Sequence, residues 1–172
     1  MIETLKTIDS RSSIRKYSDK AIPEDICKVL VEAGLKAPTA TNRQEIHFSV
    51  VDGNNPINQQ LQKDLNPNTD TTFYFDAPLI IYLSAEDGFN WSDVDAGIAV
   101  ENIHLAATSL GLGSLIIGCV KKVINGEKKN YYKDKLNIPD GYSFRIAIAI
   151  GYPDTEKQPH LFDFDKNVSI ID

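Results

Sequence analysis

The chain has 172 residues, 42% of them hydrophobic, and a formal net charge of −6. That length and composition suit a single domain over residues 1–172 with a real core and exclude a disordered chain. The acidic balance and scattered basic residues argue against a nucleic-acid partner, and no apolar run is long enough to span a membrane.

In chain order, Leu5 and Ile8 share a face and predict a short helix over residues 2–8. Ser10-Arg11-Ser12-Ser13-Ile14-Arg15-Lys16-Tyr17 follows as a loop or irregular strand. Only Ile14 interrupts its run of side-chain donors. Arginine adds a planar fork that matches phosphate and carboxylate and stays charged at any working pH. A small anionic ligand fits such a run, and so does a solvated basic loop; the stretch alone leaves both readings open. Pro23-Glu24-Asp25 opens a helix carrying Ile26, Val29, Leu30 and Ala33 at helical spacing, and Gly34 is placed to close it in a left-handed conformation. Residues 37–44, Ala-Pro-Thr-Ala-Thr-Asn-Arg-Gln, are too rich in donors for a mere connector. Residues 46–51 alternate as a strand and stop at the turn Asp52-Gly53-Asn54-Asn55.

Pro56 opens a helix that runs through Leu65, residues 66–76 read as a polar surface loop, and residues 79–83 form a continuous apolar run fit for a central strand. Residues 92–110 are the best-defined helix, with Ser92 and Asp95 as the two halves of a capping box. It has so little polar face that burying it calls for a second subunit. Gly111-Leu112-Gly113 ends it, and residues 114–119 form a strand with Gly118 where the chain turns out of the sheet. Residues 143–150 make another strand, terminated by Gly151-Tyr152-Pro153, and residues 155–172 read as an extended arm. Cys27 and Cys119 are too distant in sequence to suggest a disulfide framework, and His47, His104 and His160 lack ligand spacing, so no metal is expected. With no leader segment before the first charges, a cytoplasmic address is expected.

Four stretches, in this order, resemble the FMN-dependent nitroreductase family: residues 11–17; residues 37–44; Asp95-Ala96-Gly97 through Asn102, Leu105-Ala106-Ala107 and Gly111-Leu112-Gly113 to Ile117-Gly118; and Ile148-Ala149-Ile150-Gly151-Tyr152-Pro153. The resemblance implies an α+β fold, a mostly antiparallel central sheet flanked by helices, in an intertwined homodimer with two flavins at the interface. It implies FMN as cofactor, NADH or NADPH as electron donor, and a small-molecule acceptor such as a nitroaromatic or quinone. Hydride would pass through flavin N5 in ping-pong fashion with no catalytic side chain, the protein supplying binding, orientation and electrostatics. By the same likeness, Arg11 and Ser13 suit the FMN phosphate, Ser12 the ribityl chain or ring, and Arg15 the charge that gathers near N1 and O2 on reduction. Gly118 corresponds to the position whose backbone N–H faces N5. Leu115, Ile116 and Ile117 line the ring, while Pro38, Thr39, Ala40 and Asn42 reach the flavin of the partner subunit.

The pattern departs from the family in three places. Leu161 stands where a phosphate-binding arginine is common, leaving Lys157 and His160 as candidates, and Glu45 and Ile46 follow Gln44 where relatives carry proline or tryptophan. The lid excursion of larger relatives is minimal, and Asn66, Asn68 and Asp70 are the candidates for a contact to the flavin pyrimidine. Two other readings stand beside the enzyme: a flavin-binding redox module without a dedicated acceptor, and a reductive dehalogenase-like relative of the same fold.

Overall fold

The computed structural model describes residues 2–171. At its centre lie β1 (His47–Asp52), β2 (Leu79–Glu86), β3 (Gly113–Ile117) and β4 (Tyr142–Gly151), ordered β1-β2-β4-β3 with every neighbouring pair antiparallel. Around them pack α1 (Glu3–Ser10), α2 (Glu24–Leu35), α3 (Pro56–Leu65), α4 (Ser92–Ser109), α5 (Lys121–Ile124) and α6 (Lys129–Lys135), with a last turn of helix, α7 (Phe164–Asn167), in the C-terminal arm. This is the expected α+β arrangement.

Strand alternation explains the layers. Leu79, Ile81 and Leu83 of β2 join Ile148 and Ile150 of β4 in a cluster with Leu30 of α2 and Val100 and Ile103 of α4. On the opposite face Ile80 and Tyr82, with Ala147 and Ala149, meet Leu61 of α3, Ile124 of α5 and Tyr132 of α6. The continuous apolar run of β2 is therefore a strand buried on both faces.

Two local expectations give way to tertiary structure. Gly34 does not end α2 in a left-handed turn; it lies inside the helix, buried, where an added Cβ would stand 2.8 Å from Phe48 Cε1 and 3.0 Å from Ile103 Cδ1. Its role is close approach between α2, β1 and α4. Ser92 and Asp95 do not form a capping box either. Ser92 is the first helical residue, and its hydroxyl donates to the Glu86 carbonyl at 2.8 Å, while Asp95 is turned to another task described below.

Candidate functional site

Residues 11–18 leave α1 and run along the free edge of β3. Ser13 bridges Ser114 in parallel and Tyr17 bridges Pro153, with the Ile14 N–H donating to Ser114 O at 3.0 Å and the Ser18 N–H to Tyr152 O at 2.9 Å. Two glycines paired across β3 and β4, Gly113 and Gly151, give the segment its bed. A Cβ on Gly113 would lie 2.9 Å from Ile14 Cβ, and one on Gly151 would lie 2.8 Å from Tyr17 Cδ1. Ile14 is thereby buried, while its neighbours Ser13 and Arg15 are left more open. The Tyr17 hydroxyl ties the run to itself by donating to Ile14 O at 2.7 Å. Gly113→Ala should therefore push on the rigid root of Ile14 and cost about 1–3 kcal/mol. Thermal unfolding checks this, and an unchanged midpoint would mean the segment is not seated on that glycine.

The sequence-predicted donors gather here. The Arg11 side chain is only 20% exposed, with its Nε 3.9 Å from Glu101 Oε1 of α4. Lys157 crosses from the arm: its Nζ donates to Ser13 O at 3.3 Å, and its own carbonyl accepts from the Ser12 hydroxyl at 3.2 Å. Of the two tail candidates it is Lys157 that reaches the segment, whereas His160 is exposed in the arm. A cavity of about 640 Å³ opens beside it, lined by Lys6, Asp9, Ser10, Glu156, Lys157 and Gln158. Arg15 is exposed, its guanidinium 5.9 Å from the centre of the Phe75 ring. Arg11, Ser12 and Lys157 thus lie together, with Glu101, Asp9 and Glu156 as the acids near them, and their donors are chemically suited to an anion.

The 37–44 segment is held at a different turn of α4. A short 3-10 turn, Ala40–Asn42, contains Thr41 at φ 55°, followed by Asn42 at φ 56° and Gln44 at φ 54°. The Ala40 N–H donates to both oxygens of the buried Asp95 carboxylate at 3.1 Å. Thr39 Oγ1 accepts from the Gln44 N–H at 2.9 Å, and Asn42 Oδ1 accepts from Gln44 Nε2 at 2.9 Å. Arg43 pairs with Glu86 and lies over the Phe89 ring at 4.4 Å. Asp95 and Glu101 are six positions apart, about 9 Å of helix rise, so one chain anchors this segment away from the arginine–serine run. Pro38 and Asn42 stay exposed, Thr39 and Ala40 half-buried.

At the end of β3, Leu115 and Ile117 are buried in the cluster with α3, α5 and α6, and Ile116 packs partly buried on the opposite face. Gly118 is exposed, and a Cβ there would meet nothing within 4 Å. Its φ is not among the left-handed ones, so the glycine supplies space, not an unusual conformation. Asn66, Asn68 and Asp70 are exposed in the loop after α3.

The segments just described lie within the span that matches known proteins. The model of the nitroreductase family matches residues 8–152. The chain belongs to the nitroreductase family. A relative from Archaeoglobus fulgidus, provisionally named an NADH dehydrogenase/NAD(P)H nitroreductase, is 32% identical over 163 residues, covering 91% of this chain and 89% of its own length. Two solved structures described as nitroreductases with bound FMN are also similar, each 26% identical over 100% of both chains. The one from Bacteroides fragilis has a TM-score of 0.88 and the one from Desulfitobacterium hafniense 0.90. The nitroreductase match stops before Lys157, so the arm residue that reaches Ser12 and Ser13 lies outside it. Glu101 went unmarked in the sequence and His104 was weighed only as a metal ligand and set aside; the signal that links them was a charged and a titratable residue at i, i+3 on a largely apolar helix. Among the described residues no His, Cys, Asp and Glu group is placed to hold a metal ion, and no helix is long and apolar enough to cross a membrane.

Proposed function

We infer that the chain is an FMN-dependent NAD(P)H oxidoreductase, acting as a homodimer on small electron acceptors such as quinones or nitroaromatics. One observation carries this reading: the run of Arg11, Ser12 and Ser13, closed by Lys157, leads directly into Ile14, which is seated on Gly113 of the strand whose end is the open Gly118. Those residues fit FMN. The donor set suits a phosphate dianion, and the unfilled space over Gly118 is what an approaching flat ring requires. FMN supplies, when bound, the two-electron redox chemistry between NAD(P)H and acceptor. The residues of the chain do the rest. Arg11, Ser12, Ser13 and Lys157 hold the phosphate end. Arg15 contributes positive charge where the reduced cofactor gathers negative charge. The backbone at Gly118 gives close access, with Ile116 beside it and Leu115 and Ile117 fixing the strand from the core side. Pro38, Thr39, Ala40 and Asn42 of one subunit complete the site of the other.

The dimer is supported by apolar surface that a lone subunit leaves uncovered. Leu5 and Ile8 of α1, Val94 and Ile98 of α4, and Leu161 and Ile171 of the arm are all exposed. Ile98→Glu should leave the core intact, because Ile98 is 37% exposed while its neighbour Ala99 is buried, and should shift the protein to monomers by light scattering at micromolar concentration. A dimer of unchanged affinity would take this face out of the interface.

The test of function is direct. Freshly purified protein should be yellow with one FMN per subunit, and should oxidise NADH or NADPH steadily with a quinone or nitroaromatic. Colourless protein that takes up no added FMN would overturn the reading, and flavin binding without turnover would leave a redox module. Gly118→Ala sharpens it. With nothing within 4 Å of the new methyl, stability should change by less than about 0.5 kcal/mol, yet stopped-flow reduction of the bound flavin by NAD(P)H should slow. Reduction at the wild-type rate would remove Gly118 from the site.

A further inference from the structure

His104 is 1% exposed, on an otherwise apolar face of α4, and neither of its ring nitrogens makes a well-formed hydrogen bond. An imidazole so placed is costly unless something compensates it. Its surroundings are specific. Glu101, one turn earlier on the same helix, puts Oε2 3.5 Å from His104 Nδ1, and its other oxygen, Oε1, lies 3.9 Å from Arg11 Nε. One carboxylate therefore stands between the guanidinium that faces the anion site and a buried imidazole. The groups that act on His104 are Glu101 from α4, Arg11 from the end of α1 and the Ser12 backbone.

We propose that Glu101 is the positioning residue of the phosphate clamp and His104 its buried support, so that filling the clamp is coupled to proton uptake at His104. This rests on the reading of Arg11 as a phosphate ligand given above. Burial drives the His104 imidazole below the ordinary histidine range; Glu101 raises it, Arg11 lowers it again, and the Ser12 backbone raises it. In the empty clamp His104 is therefore neutral at neutral pH. A phosphate dianion against Arg11 cancels the positive field that Arg11 casts on the ring. That change favours the imidazolium, so the ring takes up a proton as the anion arrives. By linkage, anion affinity strengthens as pH falls, from the raised His104 pKa of the filled clamp down to the depressed one of the empty clamp. The second ionisation of the phosphate, with a pKa near about 6, acts in the opposite sense, which makes the comparison with a His104 variant necessary.

The experiment measures release of FMN from the holoprotein on dilution, by flavin fluorescence, between about pH 5.5 and 8, for wild type, His104→Gln and Glu101→Gln. Riboflavin, which lacks the phosphate, serves as the second probe. Calorimetry in two buffers of different ionisation enthalpy counts protons taken up per FMN. Wild type should take up more protons than His104→Gln, and its affinity should gain relative to that variant as pH falls, by up to about ten-fold per pH unit inside the window. Glu101→Gln should weaken FMN binding by about two- to five-fold with riboflavin unchanged. If His104→Gln does not fold, the half-exposed Glu101→Gln carries the same test, because without the carboxylate that raises His104 its pH profile should shift to lower pH. Coincident profiles and equal proton counts would overturn the coupling while leaving the clamp in place. FMN binding no tighter than riboflavin in wild type would overturn the clamp, and this proposal with it.

Discussion

Arg11→Ala is expected to weaken FMN binding by roughly ten- to hundred-fold, the loss of one charge-assisted contact worth about 1.5–3 kcal/mol. The upper part of that range is favoured by shielding, since the Arg11 side chain is only 20% exposed and its charge is less screened than that of a surface arginine. Riboflavin should bind nearly as before, because the deleted group faces the phosphate and not the ring. Folding stability should move little: the Arg11–Glu101 pair is long, at 3.9 Å, and Glu101 is 45% exposed. Equilibrium fluorescence titration separates these effects. An FMN dissociation constant equal to that of wild type would remove Arg11 from the clamp, and a parallel loss of riboflavin affinity would show that the variant had disturbed the whole segment.

How much was legible in the sequence depended on whether a residue's partner was near it in the chain. The helix 56–65 was read to the residue because Pro56 starts it; Asn55, read as a turn residue, also caps it, its side chain accepting from the Ile57 N–H at 3.0 Å. β2 was read from its unbroken apolar run. The helices α5 and α6 were not anticipated: they span four and seven residues, are rich in lysine, and owe their order to Ile124, Tyr132 and Leu136 reaching the core. Asp95 was misassigned because the local pattern Ser-x-x-Asp is a good capping signal, and nothing nearby revealed that Ala40, 55 residues away, would supply the N–H it accepts. Lys157 could only be offered beside His160, because its partners Ser12 and Ser13 lie 145 and 144 residues earlier.

The same Asp95 leads to the second large effect, on stability against pH. Glu45 is 8% exposed, neither of its carboxyl oxygens makes a well-formed hydrogen bond, and it faces Asp95, itself 1% exposed. Burial above all, then the Asp95 carboxylate, drives the Glu45 pKa up; its own backbone N–H and Arg43 pull it back down. The folded state therefore holds a proton on Glu45 that the unfolded chain releases within the ordinary glutamate range. Below that range the group costs nothing. As pH rises through it toward the raised folded value, the unfolded state binds fewer protons than the folded one, and stability falls. Above the folded value the pair is left as two buried anions held together only by what surrounds them. Glu45→Gln puts an amide donor where the proton was, so Asp95 keeps a partner while continuing to accept from the Ala40 N–H. At pH near 8 the variant should be more stable than wild type by about 1–3 kcal/mol, the cost of an unsatisfied buried polar group, or about 2–4 °C of melting temperature per kcal/mol for a chain of this size. Toward pH 5 the difference should vanish. Asp95→Ala should do the reverse at every pH, since it strips the Ala40 N–H of its acceptor and releases the 37–44 segment from α4. Thermal unfolding of the three proteins across this range decides the matter: a Glu45→Gln curve that parallels wild type would show that no proton is shared between Glu45 and Asp95.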